Sequence, residues 1–377
     1  MHEFGRALRT RFRLEPGVDF LNHGSFGAAP LEVLDAAARW RDQMEANPDR
    51  FLRQVLPGAL RDAAGELARF LHAEADDLVF VENATSAVNA VLRSLAFRPG
   101  DEILINSQSY GAVRQAVRYI CERTGAKAVE PSIQIPVAAP PLPPVSARTR
   151  LVIVDHISSP TGLVWPVKDI VAAARQHGAL VLVDGAHAPG QLELDVPALG
   201  ADWYTGNCHK WLFAPRGCAF LWSRTDRRSL VHPLPISHGY GAGFSAEFDW
   251  PGTRDFSAWL AAPAGVRFLQ ELGPAAVRRY CHELAVAAAE RLARAWAQPL
   301  AGPAALHGSM LAIRLPDAWQ QAGATRDTAR RLQSEFMDRH RIAVAIMAIE
   351  GALWARISAQ VYNSPEDYNR LLEAGRR

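Results

Sequence analysis

The sequence predicts an α/β protein, a mostly parallel central sheet with helices on both faces, followed by a smaller α+β domain. Two observations carry this. Unbroken apolar runs at 78–81, 102–105, 150–154, 179–183 and 217–222 alternate with stretches of helical period. Strands that are apolar on both sides belong in parallel sheets covered on both faces. After about Phe256 the alternation gives way to long helical stretches and strands that pair locally, the pattern of a separate α+β unit. The expected division is an N-terminal segment (1–20) packing with the small domain, a large domain (21–255) and a small C-terminal domain (256–377).

Residues 20–27, Phe-Leu-Asn-His-Gly-Ser-Phe-Gly, form a turn-rich segment that ends at Pro30. Helical periodicity runs from Leu31 to about Met44 and from about Pro57 to Leu71. The strand at 78–81 precedes a helix over 86–95, and the strand at 102–105 a helix over 113–123. Six prolines between 131 and 147 leave neither period, so an irregular surface stretch is expected there. The strand at 150–154 is followed by a helix over 167–177, then by the strands at 179–183 and 217–222. A long helical stretch from Pro263 to about Ala297 is broken at Gly273-Pro274. A strand at 310–315, a helix over 325–340 and strands at 344–347 and 353–357 follow. Ser364-Pro365 opens the last helix, Ser as N-cap and Pro in the first turn.

Apolar residues make up 49% of the 377-residue chain and charged ones 21%, ordinary for a globular protein with a sizeable core. A net charge of +2 gives no electrostatic case for nucleic acid or a membrane surface. No apolar run is long enough to span a bilayer. The Arg-rich start lacks the apolar stretch of a signal peptide, and the four cysteines show no metal-type spacing. A cytoplasmic protein is the expectation.

Of 41 basic residues only Lys127, Lys168 and Lys210 are lysines, leaving 38 arginines. That scarcity matters for imine chemistry, because arginine stays protonated and cannot form a Schiff base. Lys127 sits in a turn leading into a strand and Lys168 at a helix start. Lys210, in Gly-Asn-Cys-His-Lys-Trp, lies in a loop 26 residues after Asp184, room for a connection and one more strand.

Three further features fall where ligands bind in open parallel sheets, after the carboxyl ends of strands. Asn83-Ala84-Thr85 opens a helix, and helix starts with hydroxyl side chains attract phosphate. Asp184 caps a buried strand, where a carboxylate needs a cationic partner such as a protonated ring nitrogen. His187 follows three residues later. Tyr110 is an aromatic placed to stack on a planar ring. Asn207 and His209 flank the lysine loop, and His209 can hold phosphate or orient the lysine. A metal-hydrolase alternative takes His156, Asp184, His187 and His209 as ligands, and a non-enzymatic regulatory module is a third reading.

Together these features describe a pocket for a phosphorylated aromatic aldehyde, pyridoxal 5'-phosphate. With 20–27, 83–89, 184–190, 206–211, Gly252-Thr-Arg-Asp255, Arg356-Ile-Ser and Tyr362-Asn363, the chain resembles the class V aminotransferase family of fold type I enzymes, in its isopenicillin N epimerase-like branch. The resemblance implies that Lys210 forms the internal aldimine and that Asp184 pairs with the ring nitrogen. Tyr110 is to stack on the ring, and His187 to lie near its phenolic oxygen. Asn83, Ala84, Thr85, Asn207 and His209 are to bind the phosphate, with Thr253 reaching the neighbouring subunit's phosphate across a homodimer with shared sites. Arg356 is to hold the substrate carboxylate, with Asn22 and His23 forming part of the substrate wall. The implied substrate is an amino acid, and the implied reaction epimerisation, racemisation or transamination at its α-carbon. The alternative is carbon–sulfur bond cleavage. The stretch 348–354 contains no cysteine, so the persulfide chemistry of related desulfurases lacks its usual nucleophile.

Overall fold

The computed structural model describes residues 4–375; the first three and last two residues of the expected terminal segments lie outside them. Among the described residues twelve strands are formed: β1 (Asp19–Phe20), β2 (Leu78–Val81), β3 (Glu102–Leu104), β4 (Lys127–Val129), β5 (Thr149–Asp155), β6 (Leu180–Asp184), β7 (Trp203–Asn207), β8 (Ala219–Ser223), β9 (Met310–Arg314), β10 (Ile342–Ala343), β11 (Ala345–Ile349) and β12 (Ala352–Ser358). The main sheet has seven strands in the order β2-β8-β7-β6-β5-β3-β4.

Side chains alternate across it. Phe80, Val152, Val154, Val181, Val183 and Phe220 feed the larger apolar cluster on one face. Val79, Ile103, Ile153, Leu182 and Leu221 meet the helices Ala84–Ser94 and Gly111–Thr124 on the other. Burying both sides of a strand stabilises it by about 1.5–3 kcal/mol per large aliphatic side chain, which is why these runs carry no polar alternation.

All neighbouring pairs in this sheet are parallel except those made by β8, which lies antiparallel between β7 and β2. The 217–222 run was expected among parallel strands. Only residues 208–218 separate β7 from β8, with no helix among them. A parallel return needs a crossover, usually helical, whereas a short connection returns antiparallel. This exception positions the site, because the connection carries Lys210.

The Pro-rich stretch 131–147 contains no helix or strand. The long C-terminal helical stretch divides into Ala262–Leu272 and Pro274–Trp296 at Gly273, whose φ is +81°. The helix Ala262–Leu272 packs on the helices Leu31–Ala46 and Leu56–Phe70. Beyond it, β11, β12 and β9 form an antiparallel sheet, and β1 pairs parallel with β10. Among the described residues no helix is long and apolar enough to cross a membrane.

Candidate active site

β2, β3, β5, β6 and β7 run in one direction, so the residues after their carboxyl ends share one rim. A cavity of about 560 Å³ opens there, lined by residues that follow each of these strands. The helix Ala84–Ser94 starts at this rim. Its N-cap, Asn83, accepts from the Ser86 N–H at 2.9 Å, and Asn207 Oδ1 accepts from the Ala84 N–H at 2.9 Å. The two asparagines satisfy helix-start donors that would otherwise lack partners, and they clamp β7 to the helix. Thr85 and Ser86 line the cavity beside them. Asn83 and Asn207 thus shape the anion site; the hydroxyl side chains and the positive end of the helix supply its attraction.

Lys210 is buried, its proton affinity lowered to about 7 first by burial and then by the Arg356 charge, with Asp184 and Asp155 opposing. Its Nζ lies 3.1 Å from His187 Nε2. The Trp211 indole N–H points at His187 Nδ1 from 3.4 Å. An indole nitrogen only donates, so Nδ1 accepts and the ring proton sits on Nε2, facing the lysine. Burial holds His187 neutral, its pKa well below the ordinary value. A donor aimed at Nζ favours the unprotonated amine, which is the nucleophilic form.

Asp184 is buried at the end of β6. Its Oδ1 accepts from the Ala186 N–H at 3.0 Å, and burial raises its pKa. Asp155 stands in register beside it on β5 and also lines the cavity. Burial and the Asp184 charge push the Asp155 carboxyl well above the usual range. Two buried carboxylates side by side resist double ionisation. A cationic partner in the cavity would let Asp184 keep its charge.

Arg356 is 1% exposed on β12, yet no carboxylate lies within 4.0 Å among the described residues. Its guanidinium donates to the Ser159 carbonyl at 2.5 Å, to Ser25 Oγ at 3.0 Å and to Asn22 Oδ1 at 3.2 Å. Its Nε has no partner. Burial lowers its pKa to about 10. Ser25 and Ser159 line the cavity, so an unpaired buried cation stands directly behind two wall residues.

The expected substrate wall is revised by this geometry. Asn22 braces Arg356 and does not line the cavity. His23 is fully buried, bonded to Tyr362 Oη at 2.8 Å and to the Lys210 carbonyl at 2.9 Å. It braces the backbone of Lys210 and does not line the cavity. Gly27, four residues on, explains the glycine of that segment. A Cβ there would stand 1.9 Å from the His209 carbonyl oxygen, at a φ of +67°.

Tyr110 lines the cavity and is 46% exposed, at the start of the helix Gly111–Thr124. His209 also lines it; its Nδ1 donates to the Cys218 carbonyl at 2.7 Å, leaving Nε2 as its free nitrogen. Thr253 sits on an exposed bend and is not part of this cavity wall. Sequence reasoning missed Asp155, Ser25, Ser159 and Arg216 as wall residues. Asp155 alone carried a signal, a carboxylate ending an apolar strand, as Asp184 does.

His156, a ligand in the metal alternative, bonds Tyr204 Oη at 3.0 Å. Among the described residues no group of three or more His, Cys, Asp or Glu stands together to hold a metal. All four cysteines are free, and none lines the cavity.

The donor set therefore fits a phosphorylated aromatic aldehyde. It offers an anion-attracting helix start, a buried carboxylate lacking a cation, and a buried amine with a lowered pKa. Comparison with known proteins agrees. A family model described as aminotransferase class-V matches residues 24–371. An isopenicillin N epimerase of Amycolatopsis lactamdurans is 35% identical, over 97% of this chain and 96% of its own. An L-cysteine desulfhydrase of Arabidopsis thaliana is 30% identical, over 96% of this chain and 87% of its own. The solved apo structure of a cysteine desulfurase from Thermococcus onnurineus NA1 shares the fold with a TM-score of 0.81. It is 22% identical and covers 99% of this chain and 98% of its own.

Proposed function

This chain belongs to the class V aminotransferase family and is a pyridoxal-phosphate-dependent enzyme, and from that premise we propose that it removes the α-proton of an L-amino acid and expels a sulfur substituent from the β-carbon. The observation that carries the reading is the Lys210–His187 pair, a buried, hydrogen-bonded acid–base unit at the cavity wall. Relatives named L-cysteine desulfhydrase support the sulfur.

Thr85, Ser86 and His209 would hold the cofactor's phosphate, Asp184 its ring nitrogen and Lys210 its aldehyde carbon, with Tyr110 against the ring. When bound, pyridoxal phosphate acidifies the α-proton by drawing electrons into its ring. Arg356, directly behind the wall residues Ser25 and Ser159, supplies the positive charge that attracts the α-carboxylate. Lys210 Nζ, with a pKa near 7, accepts the α-proton and can pass it to the departing sulfur. His187 keeps that nitrogen's lone pair directed. Loss of the proton from Cα and of sulfur with its bonding electrons from Cβ, followed by water, gives a thiol, a 2-keto acid and ammonia. With no cysteine in the wall, sulfur leaves as thiol directly and is not passed to the protein.

Epimerisation is the second reading. The epimerase relative supports it, and so does Tyr110, a cavity-facing phenol separate from the Lys210–His187 pair that can serve as the second base. We place the reaction in a cytoplasmic homodimer. Support comes from the four free thiols, the exposed Thr253 bend, and exposed Phe26, Ile236 and Tyr240, at 68%, 58% and 64%. One experiment tests the reading. The holoenzyme is incubated with a panel of L-amino acids, including L-cysteine and S-alkyl-L-cysteines, in heavy water. Release of thiol and keto acid is expected. Racemisation with deuterium at Cα and no thiol selects the epimerase, and the absence of both thiol release and exchange at Cα removes both.

A further inference from the structure

We infer that the substrate carries a second anionic group beyond its sulfur, held outside the catalytic cavity by Arg326 and Arg330; this rests on the α-carbon reading above. A second cleft, of about 740 Å³, opens beside the catalytic cavity and shares Tyr110 and Ser159 with it. One side is the start of the helix Gly111–Thr124, and another is the first turn of the helix Arg326–His340. A substituent that leaves the α-carbon past Tyr110 and Ser159 enters this cleft.

Its charge is one-sided. Three arginines, Arg114, Arg326 and Arg330, line it against one carboxylate, Glu350. Arg114 is neutralised by an ion pair with Glu130. Glu350 accepts from Ser132 Oγ and Gln134 Nε2, both at 3.3 Å, and keeps its charge, so one carboxylate stands against Arg326 and Arg330 together. Arg326 and Arg330 have no carboxylate within 4.0 Å among the described residues. They stand four residues apart, one turn on the same helix face. Both lie in the first turns of the helix, where a cation works against the macrodipole and only Asp327 offsets it. An anion in the cleft relieves that repulsion and is attracted by both guanidinium groups. The chemistry is that of an amino acid whose β-substituent ends in a carboxylate or a comparable anion. Arg356 takes the near carboxylate, and the Arg326–Arg330 pair takes the far one.

The test compares S-(2-carboxyethyl)-L-cysteine with S-propyl-L-cysteine, equal in reach and different in charge, on the wild-type holoenzyme and on the Arg326→Gln/Arg330→Gln double variant. The wild type is expected to favour the charged compound in kcat/KM by about tenfold, the value of two exposed charge pairs. In the double variant the ratio is expected to fall to about one, with an unaltered melting temperature showing that the fold is kept. No preference in the wild type, or the same preference in the variant, overturns the inference. If neither compound is turned over, the α-carbon reading is at fault, and calorimetric binding of the same two compounds decides. Tighter binding of the charged one that the double variant loses upholds the distal site, and equal binding removes it.

Discussion

Free in water, a lysine amine keeps its proton up to about pH 10.4. In this protein burial and the Arg356 guanidinium bring Lys210 down to about 7, although Asp184 and Asp155 pull the other way. Burial is the largest influence, so the dryness of the cavity matters more than any single neighbour. The sign is testable on the cofactor-free protein. Only the neutral amine attacks an aldehyde, so cofactor uptake should rise with pH through about 7, read as borohydride-trapped label on residue 210. Removing the nearby positive charge with Arg356→Gln should move that midpoint upward, because the ammonium then loses a repulsive neighbour; an unmoved midpoint would show that Arg356 does not act on it. Lys210→Arg should take up no covalent label, since arginine keeps its proton. For Asp184, replacement by Ala removes the acceptor for a ring cation. Activity should fall by about a hundredfold or more while the circular dichroism is kept. Unimpaired turnover would show that the carboxylate does not face the ring.

The connection between β7 and β8 is the element that builds the site, and two glycines let it lie where it does. Gly27 passes under the His209 carbonyl. Gly190, at φ +90°, passes under the Trp211 carbonyl, 2.3 Å from where a Cβ would stand. His23 then hydrogen-bonds the carbonyl of Lys210 between them. Lys210 is held by its backbone carbonyl, which leaves its side chain free to pair with His187. Gly27→Ala places a methyl group inside a backbone oxygen and in a conformation open to glycine. It should destabilise the protein by about 3 kcal/mol or more. The check is a lowered melting temperature together with loss of bound cofactor; a variant that melts normally and keeps the cofactor would show that the connection shifts without cost.

At the scale of the whole molecule, Arg356 on β12 reaches behind Ser25 of the N-terminal turn and Ser159 after β5. Three separate parts of the chain therefore meet in one wall. The proposed homodimer predicts a light-scattering particle of twice 41.3 kDa; a monomer at working concentration would leave Thr253 without its proposed role. Much of this was readable before any coordinates. The apolar runs alternating with helical periods pointed to a doubly covered sheet, because strands apolar on both sides need both faces covered. The rarity of lysine isolated Lys210, and a carboxylate closing an apolar strand marked Asp184. The antiparallel course of β8 was hidden, since an apolar run has no direction. So were the inward turn of His23, the pairing of Asp155 with Asp184 and the unpaired charges of Arg356, Arg326 and Arg330. A residue's type states what it can bond, and that much is written locally. Whether its partner is water, a neighbouring strand or an absent anion depends on which distant segments the closed core brings within hydrogen-bond reach, and only the tertiary structure decides it.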